Sequence, residues 1–373
     1  MKLLSTFLTV ASFGSILAQS AYKDYGIEWG VENNDWCIIK KGRCDKSNLD
    51  NQCFSFPEYP CCKGNNVVLE TIEGKWGVED QHWCGIKEAS TSTSSSSSSS
   101  YIYDPNVQYK EAPQNYLNPC PQAGKIIKEK YNGINGANAL NVYLPYGYDE
   151  KKQYNIFYFM HGGGDNEDKV FSTNDVRLGN YLDHMTMNGE LEPLIVVTPT
   201  FTKTTAQTFY KEFHESVVPF VESKYSTYAK STSAQDIKAS RMHRGYGGFS
   251  MGGVSTWALF ENCLDIVAYY MPLSGDSWEK DTNAEKAKSL ADAVKKFGIQ
   301  KDEFFIFSAT GSSDIAYPNL NPQIEEMKKL DTFIFTSDFS KGNCYYMVAD
   351  SKTHDWKFIR EYVYDALPTF FHE

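Results

Sequence analysis

Residues 245–255 read GYGGFSMGGVS, with five glycines around Ser250. Within them Gly248-Phe249-Ser250-Met251-Gly252 fits G-x-S-x-G, the turn that carries a nucleophilic serine from the end of a strand to the start of a helix. Glycine two before and two after the serine lets strand and helix backbones pass closely while the serine is held in a strained conformation. A glycine-rich turn containing a serine is common in itself. The reading needs a base, an acid and backbone donors in the right order along the chain.

The residues around this turn supply them. From about 105 onward, apolar runs alternate with amphipathic stretches, the pattern of an α/β sheet with helices on both faces. Strands are expected at 155–160 (NIFYFM), 193–198 (PLIVVT), 266–273 (IVAYYMPL), 303–310 (EFFIFSAT) and 344–349 (CYYMVA). Helices are expected at 205–225, at 284–298, and over 322–335 with a break before its β-branched end. In such sheets chemistry sits where strands give way to loops. The first strand runs into HGGGD (His161 to Asp165), where glycines let backbone N–H groups face a site unobstructed. The fourth runs into GSSDIAY, with Asp314, and the fifth into DSKTHDW, with His354.

Only His354 and His372 follow Ser250, and His372 is the penultimate residue, expected to fray. His354 is therefore the expected base. Asp314 is favoured over Asp276 (in PLSGDSW) as the acid, from its order and its loop after a late strand. The expected oxyanion donors are the N–H groups of Met251 and Gly163, with Gly162 and Gly164 as alternatives to Gly163; His161 is expected to shape the loop. No metal or organic cofactor is expected.

The whole chain has 373 residues and a net charge of -11, which disfavours nucleic acid and anionic membrane surfaces as partners. Aromatic residues make up 15%, with 25 Tyr, 23 Phe and 7 Trp, a richness suited to sugar or aryl ligands. Residues 1–20 read as a secretory signal peptide, so an extracellular protein is expected. Six of the nine cysteines (Cys37, Cys44, Cys53, Cys61, Cys62 and Cys84) fall within 26–86, a disulfide framework of three bridges with open connectivity. Cys120, Cys263 and Cys344 remain; Cys263 with Cys344 is a candidate pair. WGVENNDWCI at Trp29 returns as WGVEDQHWCG at Trp76, 47 positions later. Between the copies lie strand-like NVVLET and a Gly74-Lys75 turn. Such a small segment buries little apolar surface, so Trp29, Trp36, Tyr59, Trp76 and Trp83 are candidates for a binding face as well as for the small core. The stretch 87–104 carries seven consecutive serines and reads as a flexible linker to a catalytic domain over 105–373.

The Cys-rich segment resembles the fungal dockerins of anaerobic gut fungi, also classed with carbohydrate-binding module family 10, through YPCC (Tyr59 to Cys62) and GKWGVEDQHWCGI (Gly74 to Ile86). The resemblance implies docking, without calcium, onto a cellulosome scaffold protein, or binding to cellulose. The first copy lacks a PCC half, so one module with an N-terminal extension is expected. Residues 105–373 resemble carbohydrate esterase family one through FMHGGGDNE, GYGGFSMGG, LSGDSW, ATGSSDIAY and THDW. That resemblance implies a serine esterase releasing ferulate from arabinose on arabinoxylan, with an acetylxylan esterase of the same triad as the alternative. It also makes Trp278, Trp356 and Trp257 candidates to line a substrate groove. A binding protein with an inactive hydrolase domain is the reading from a different class.

Overall fold

The computed structural model describes residues 19–24, 27–32, 35–40, 43–45, 61–63, 67–71, 74–79, 82–86 and 108–372. The bulk of the expected signal peptide, Cys53, Tyr59 and the whole serine-rich linker lie outside the described residues. The chain divides between residues 97 and 98 into two compact units.

In the first unit the repeat becomes the same hairpin twice. Strands β1 (Gln19–Asp24), β2 (Ile27–Glu32), β3 (Asp35–Lys40) and β4 (Arg43–Asp45) form one antiparallel sheet, and β5 (Leu69–Thr71), β6 (Gly74–Glu79) and β7 (His82–Gly85) another. Trp29 pairs with Ile38 and Val31 with Trp36; 47 residues on, Trp76 pairs with Gly85 and Val78 with Trp83. The Gly74-Lys75 step expected as a turn lies inside β6, where Lys75 pairs with Glu70. Trp29, Trp36, Trp76, Trp83, Cys37 and Cys44 are located by strand register. Cys62 and Cys84 form a disulfide across 22 residues and are buried with Ile86. Closing a loop of that length contributes about 3 kcal/mol on a chain-entropy basis. Cys61 is disulfide-bonded as well.

The second unit is an eight-stranded sheet. Its strands are β8 (Lys125–Gly133), β9 (Gly136–Leu144), β10 (Asn155–Met160), β11 (Leu194–Thr198), β12 (Arg244–Phe249), β13 (Tyr269–Leu273), β14 (Phe305–Gly311) and β15 (Cys344–Ala349). Their spatial order is β15-β14-β13-β12-β10-β11-β9-β8; β10 to β15 are mutually parallel, and the β8–β9 hairpin joins antiparallel at one edge. Helices α1 (Leu178–Met187), α2 (Phe209–Glu212), α3 (Val218–Glu222), α4 (Ala234–Ala239), α5 (Met251–Asn262), α6 (Asn283–Phe297), α7 (Tyr317–Met327) and α8 (Trp356–Ala366) complete it.

The sheet is covered on both faces, and β10 shows how. Ile156, Tyr158 and Met160 enter a core with residues of α2, α3, α5, α6 and α7, whereas Phe157 and Phe159 enter a second core with residues of α1 and α8. This is the two-residue side-chain alternation of a strand buried on both sides. An ion pair with both side chains fully buried lies inside: Arg244 at the start of β12 meets Glu222 at 2.6 and 2.7 Å, and also donates to the carbonyls of Ile237 and Ile266.

The β8–β9 hairpin was not evident in the sequence, because β8 (KIIKEKYNG) is a largely exposed edge strand whose lysines and glutamate mask the strand pattern. The helix expected over 205–225 is interrupted by a π turn at Phe213–Val217. Pro219 has no N–H to continue the α ladder there, and the backbone widens. The helix expected at 322–335 instead spans Tyr317–Met327. Cys263 and Cys344 are free and buried rather than paired, and Cys120 is free and buried as well. His372 does not fray: its ring lies 4.7 Å from that of Phe305 and stacks on Phe339, and Nδ1 is 2.9 Å from the Thr369 carbonyl.

The start of this unit is held to α8 by carboxylates. Glu361 accepts from the Ala112 N–H at 2.8 Å and the Tyr181 hydroxyl at 2.6 Å, and Asp365 accepts from the Lys110 N–H at 3.1 Å. The other Asp365 oxygen is buried without a partner. Burial pushes this carboxyl up to about 8. The folded protein therefore prefers the protonated form, against an ordinary aspartate value of about 3.9 in the unfolded chain. The resulting stabilisation is full below about pH 4 and is lost as pH rises through about 8. Asp365→Asn is expected to flatten the fall in melting temperature over this interval; an unchanged slope would show that Asp365 is not its source.

Candidate active site

Strand β12 delivers Phe249 to the end of the sheet, the chain turns at Ser250 with φ 56° and ψ −114°, and α5 begins at Met251. Such a backbone costs on the order of 1–3 kcal/mol at a non-glycine residue and persists only where its surroundings enforce it. Here they do. The Ser250 N–H donates to the Leu273 carbonyl at 2.9 Å, and the Ser250 carbonyl accepts from the Val254 N–H at 3.0 Å. A Cβ on Gly248 would lie 2.7 Å from the Gly252 carbonyl carbon, and one on Gly252 would lie 2.4 Å from the Met160 carbonyl oxygen. Strand, turn and helix cross too closely for any side chain at either glycine.

The loops after β14 and β15 bring two further residues to this turn. His354 Nε2 lies 2.9 Å from Ser250 Oγ, and its Nδ1 lies 2.7 Å from Asp314 Oδ1. Asp314 is 3% exposed, and Oδ1 also accepts from the Ala316 N–H at 2.8 Å, which fixes the carboxylate. With Nδ1–H directed at the carboxylate, Nε2 presents its lone pair to the serine hydroxyl, the tautomer a general base requires. The Phe249 ring packs 4.5 Å from the imidazole.

Met251 opens α5, so its N–H belongs to the unsatisfied first turn, at the positive end of the helix dipole. The glycine loop after β10 lies against it: a Cβ on Gly163 would sit 3.1 Å from Met251 Cγ. Gly164 takes φ 81°, which turns the loop here. Beside it, the buried His161 ring contacts the Gly162 carbonyl at 2.7 Å and Thr200 Oγ1 at 2.8 Å, and burial lowers its pKa. His161 is thus a neutral brace of the loop.

Asp276 is placed otherwise. It pairs with Lys286 at 2.7 Å and accepts from the Trp278 indole N–H at 3.3 Å. The tryptophans separate as well. Trp278 is 49% exposed, whereas Trp356 is 8% exposed and donates its indole N–H to Asp165 at 2.9 Å. Trp257 is corrected: it is fully buried on α5, its N–H donates to the Gly275 carbonyl at 2.9 Å, and it lines no groove. The sequence reading did not single out Phe249, Asp165 or Gly275. A Cβ on Gly275 would lie 2.5 Å from the Ser250 carbonyl oxygen, so it backs the turn from the β13 side. Asp165 was visible in HGGGD, but its Trp356 partner lies 191 residues away.

Among the described residues, the metal-type cluster Cys62, Glu79 and Cys84 has both sulfurs committed to the disulfide. No helix of the described residues is long and apolar enough to cross a membrane.

Comparison with known proteins finds similarity for both units. A solved structure, a mutant of the feruloyl esterase module from Clostridium thermocellum complexed with sinapinate, is 64% identical, covers 74% of this chain and 97% of its own, and superposes with a TM-score of 0.72. The chain belongs to the feruloyl esterase family. The endo-1,4-beta-xylanase Y of Acetivibrio thermocellus is likewise 64% identical over 277 residues; these make up 74% of this chain and 26% of that enzyme, so the chain spans about a quarter of this relative's length. A ferulic acid esterase from the anaerobic fungus Anaeromyces mucronatus shares the fold at 18% identity, with a TM-score of 0.52 over 70% of this chain and 96% of its own. Residues 17–39 and 52–86 match the family described as a cellulose or protein binding domain.

The crossing of β12 and α5 gives a direct test. Gly252→Ala places a methyl group against the Met160 carbonyl, where only backbone movement makes room, at an expected cost of about 1–3 kcal/mol or more. The esterase unit should melt several degrees lower, with ester hydrolysis reduced further as Ser250 shifts. An unchanged melting temperature and unchanged hydrolysis would contradict the close crossing.

Proposed function

We propose that residues 105–373 form a secreted serine esterase that hydrolyses feruloyl-arabinose esters of arabinoxylan. The observation that carries this reading is the continuous hydrogen-bonded chain Asp314–His354–Ser250 at a strained strand-to-helix turn. Ser250 Oγ attacks the ester carbonyl and forms the acyl bond while its proton passes to His354 Nε2. The tetrahedral oxyanion is held by the Met251 N–H at the start of α5 and the Gly163 N–H of the glycine loop after β10. His354 then returns the proton to the departing sugar hydroxyl. Water, deprotonated by the same imidazole, releases ferulate from Ser250. Asp314 keeps the imidazole in the required tautomer and stabilises its charged form.

Substrate contacts fall to Trp278 and to Ile315, 75% exposed beside Asp314, with Trp356 bracing the Phe249 wall from behind. The enzyme relatives and the aromatic composition support a phenolic acyl group. The N-terminal module, residues 26–86 after a signal peptide at 1–20 and before a linker at 87–104, docks the enzyme to a cellulosome scaffold protein. Its match to a cellulose or protein binding family supports this placement, with Trp29, Trp36, Tyr59, Trp76 and Trp83 as the binding-face candidates.

Feruloylated arabinoxylan fragments and acetylated xylan, offered side by side, test the esterase reading. Ferulate is the expected product. Ser250→Ala should abolish its release, and Asp314→Asn should lower kcat by about 10⁴ while leaving the fold intact. Asp276→Asn should leave kcat nearly unchanged and lower stability instead, because it strands the ammonium of Lys286. Release of neither acid by the folded protein would refute the reading, and acetate alone would move it to acetylxylan. For the module, retention by scaffold protein but not by crystalline cellulose is expected.

A further inference from the structure

We propose a second polysaccharide site on the esterase unit, at the opposite end of the sheet from Ser250. An open groove of about 440 Å³ is lined by Lys125, Ile127, Tyr146, Tyr148, Glu150 and Tyr225, among others. Its position follows from strand direction. Ser250, Asp314 and His354 follow the C-terminal ends of the parallel strands β12, β14 and β15. Strand β9 runs antiparallel to β11, with Asn141 opposite Thr198 and Tyr143 opposite Val196. Leu144 and the Tyr146–Tyr148 turn that follows therefore lie at the N-terminal end of the parallel strands.

The groove has a fixed floor and a free rim. Tyr148 accepts from the Ser226 N–H at 2.7 Å, and its ring lies 5.0 Å from that of Tyr154. Tyr225 donates to Glu129 at 2.8 Å, and Lys224 pairs with the same carboxylate at 2.7 Å. These side chains are held before any ligand arrives, so their ordering is not charged against binding. Around them the Tyr146 ring is 58% exposed, and Lys125 and Glu150 are exposed. The Tyr146 hydroxyl, the Lys125 ammonium and the Glu150 carboxylate have no partner among the described residues.

The chemistry selects a neutral, hydroxyl-rich chain. Glu129 neutralises Lys224, and Glu150 balances Lys125, so the groove favours neither an anion nor a cation. Exposed and half-exposed tyrosine rings offer apolar faces for the C–H surface of a sugar ring, and the free ammonium, carboxylate and phenol offer both donors and acceptors to its hydroxyls. The size lies within the range of small-ligand sites and suits a short run of sugar rings along an open channel. The occupant we assign is the unesterified xylan backbone, an inference that rests on the reading of arabinoxylan as substrate. Holding that backbone away from the triad raises the local concentration of ester side chains around it.

The full-length Ser250→Ala protein and its Tyr146→Ala derivative are titrated with xylohexaose by calorimetry, at low and high salt. The esterase-competent Tyr146→Ala protein is assayed on feruloylated arabinoxylan and on methyl ferulate. The expected result is xylohexaose binding that Tyr146→Ala weakens about three- to tenfold, the worth of one aromatic stack. Binding should be insensitive to salt, since no net charge is engaged. KM on the polymer should rise by a similar factor with kcat and methyl ferulate hydrolysis unchanged. Unaltered xylohexaose affinity in the variant overturns the proposal, as does binding that collapses at high salt. Because xylohexaose carries no ester, this failure is distinct from a failure of the feruloyl reading. Melting temperature checks that each variant is folded, and Lys125→Ala supplies a second rim substitution.

Discussion

The esterase unit depends on one steric constraint, the crossing of β12 and α5 under the end of β10. The Met160 carbonyl, Gly248 and Gly252 occupy the same small volume, and no Cβ fits at either glycine. That crossing fixes Ser250 at φ 56° and turns its side chain toward the loops after β14 and β15. It also sets the first N–H groups of α5 beside the glycine loop after β10. The strain at Ser250 is offset by ordinary packing: β10, β12 and β13 are buried on both faces, and the Leu273 carbonyl and Gly275 close the turn from the far side.

A second layer holds the groups that face the serine. His354 is set between the Asp314 carboxylate and the Phe249 ring; Phe249 is backed by Trp356, and Trp356 is anchored by Asp165 from the glycine loop. One tryptophan hydrogen bond thereby couples the loop that carries Gly163 to the start of α8, two residues after His354. Side chains locked in this way keep donors and base in place before a substrate arrives, which is where most electrostatic stabilisation of a transition state originates.

Much of this was legible in the sequence because local chemistry and global fold demand the same residues. The glycines flanking Ser250, the glycine run after NIFYFM and the loop positions of Asp314 and His354 are short-range signals, and the structure brings these residues together. The repeat at Trp29 and Trp76 likewise reads through to one hairpin register used twice. What escaped was long-range or masked. The β8 strand is charged because it is an edge, the helix over 205–225 widens at Phe213–Val217 ahead of Pro219, and the Trp356–Asp165 bond spans 191 residues. Trp257 misled because an aromatic residue near a site is as often core as surface, and periodicity within a helix buried nearly all round did not separate the two.

The central claim is that Ser250 becomes acylated. Rapid acid quench of the protein mixed with a feruloyl ester, followed by intact mass and peptide mapping, reads this directly. The account predicts a single feruloyl adduct that accumulates within the first turnover on the peptide containing Ser250 and disappears in Ser250→Ala. Turnover proceeding with no adduct at any quench time, or with the adduct on another residue, would contradict it.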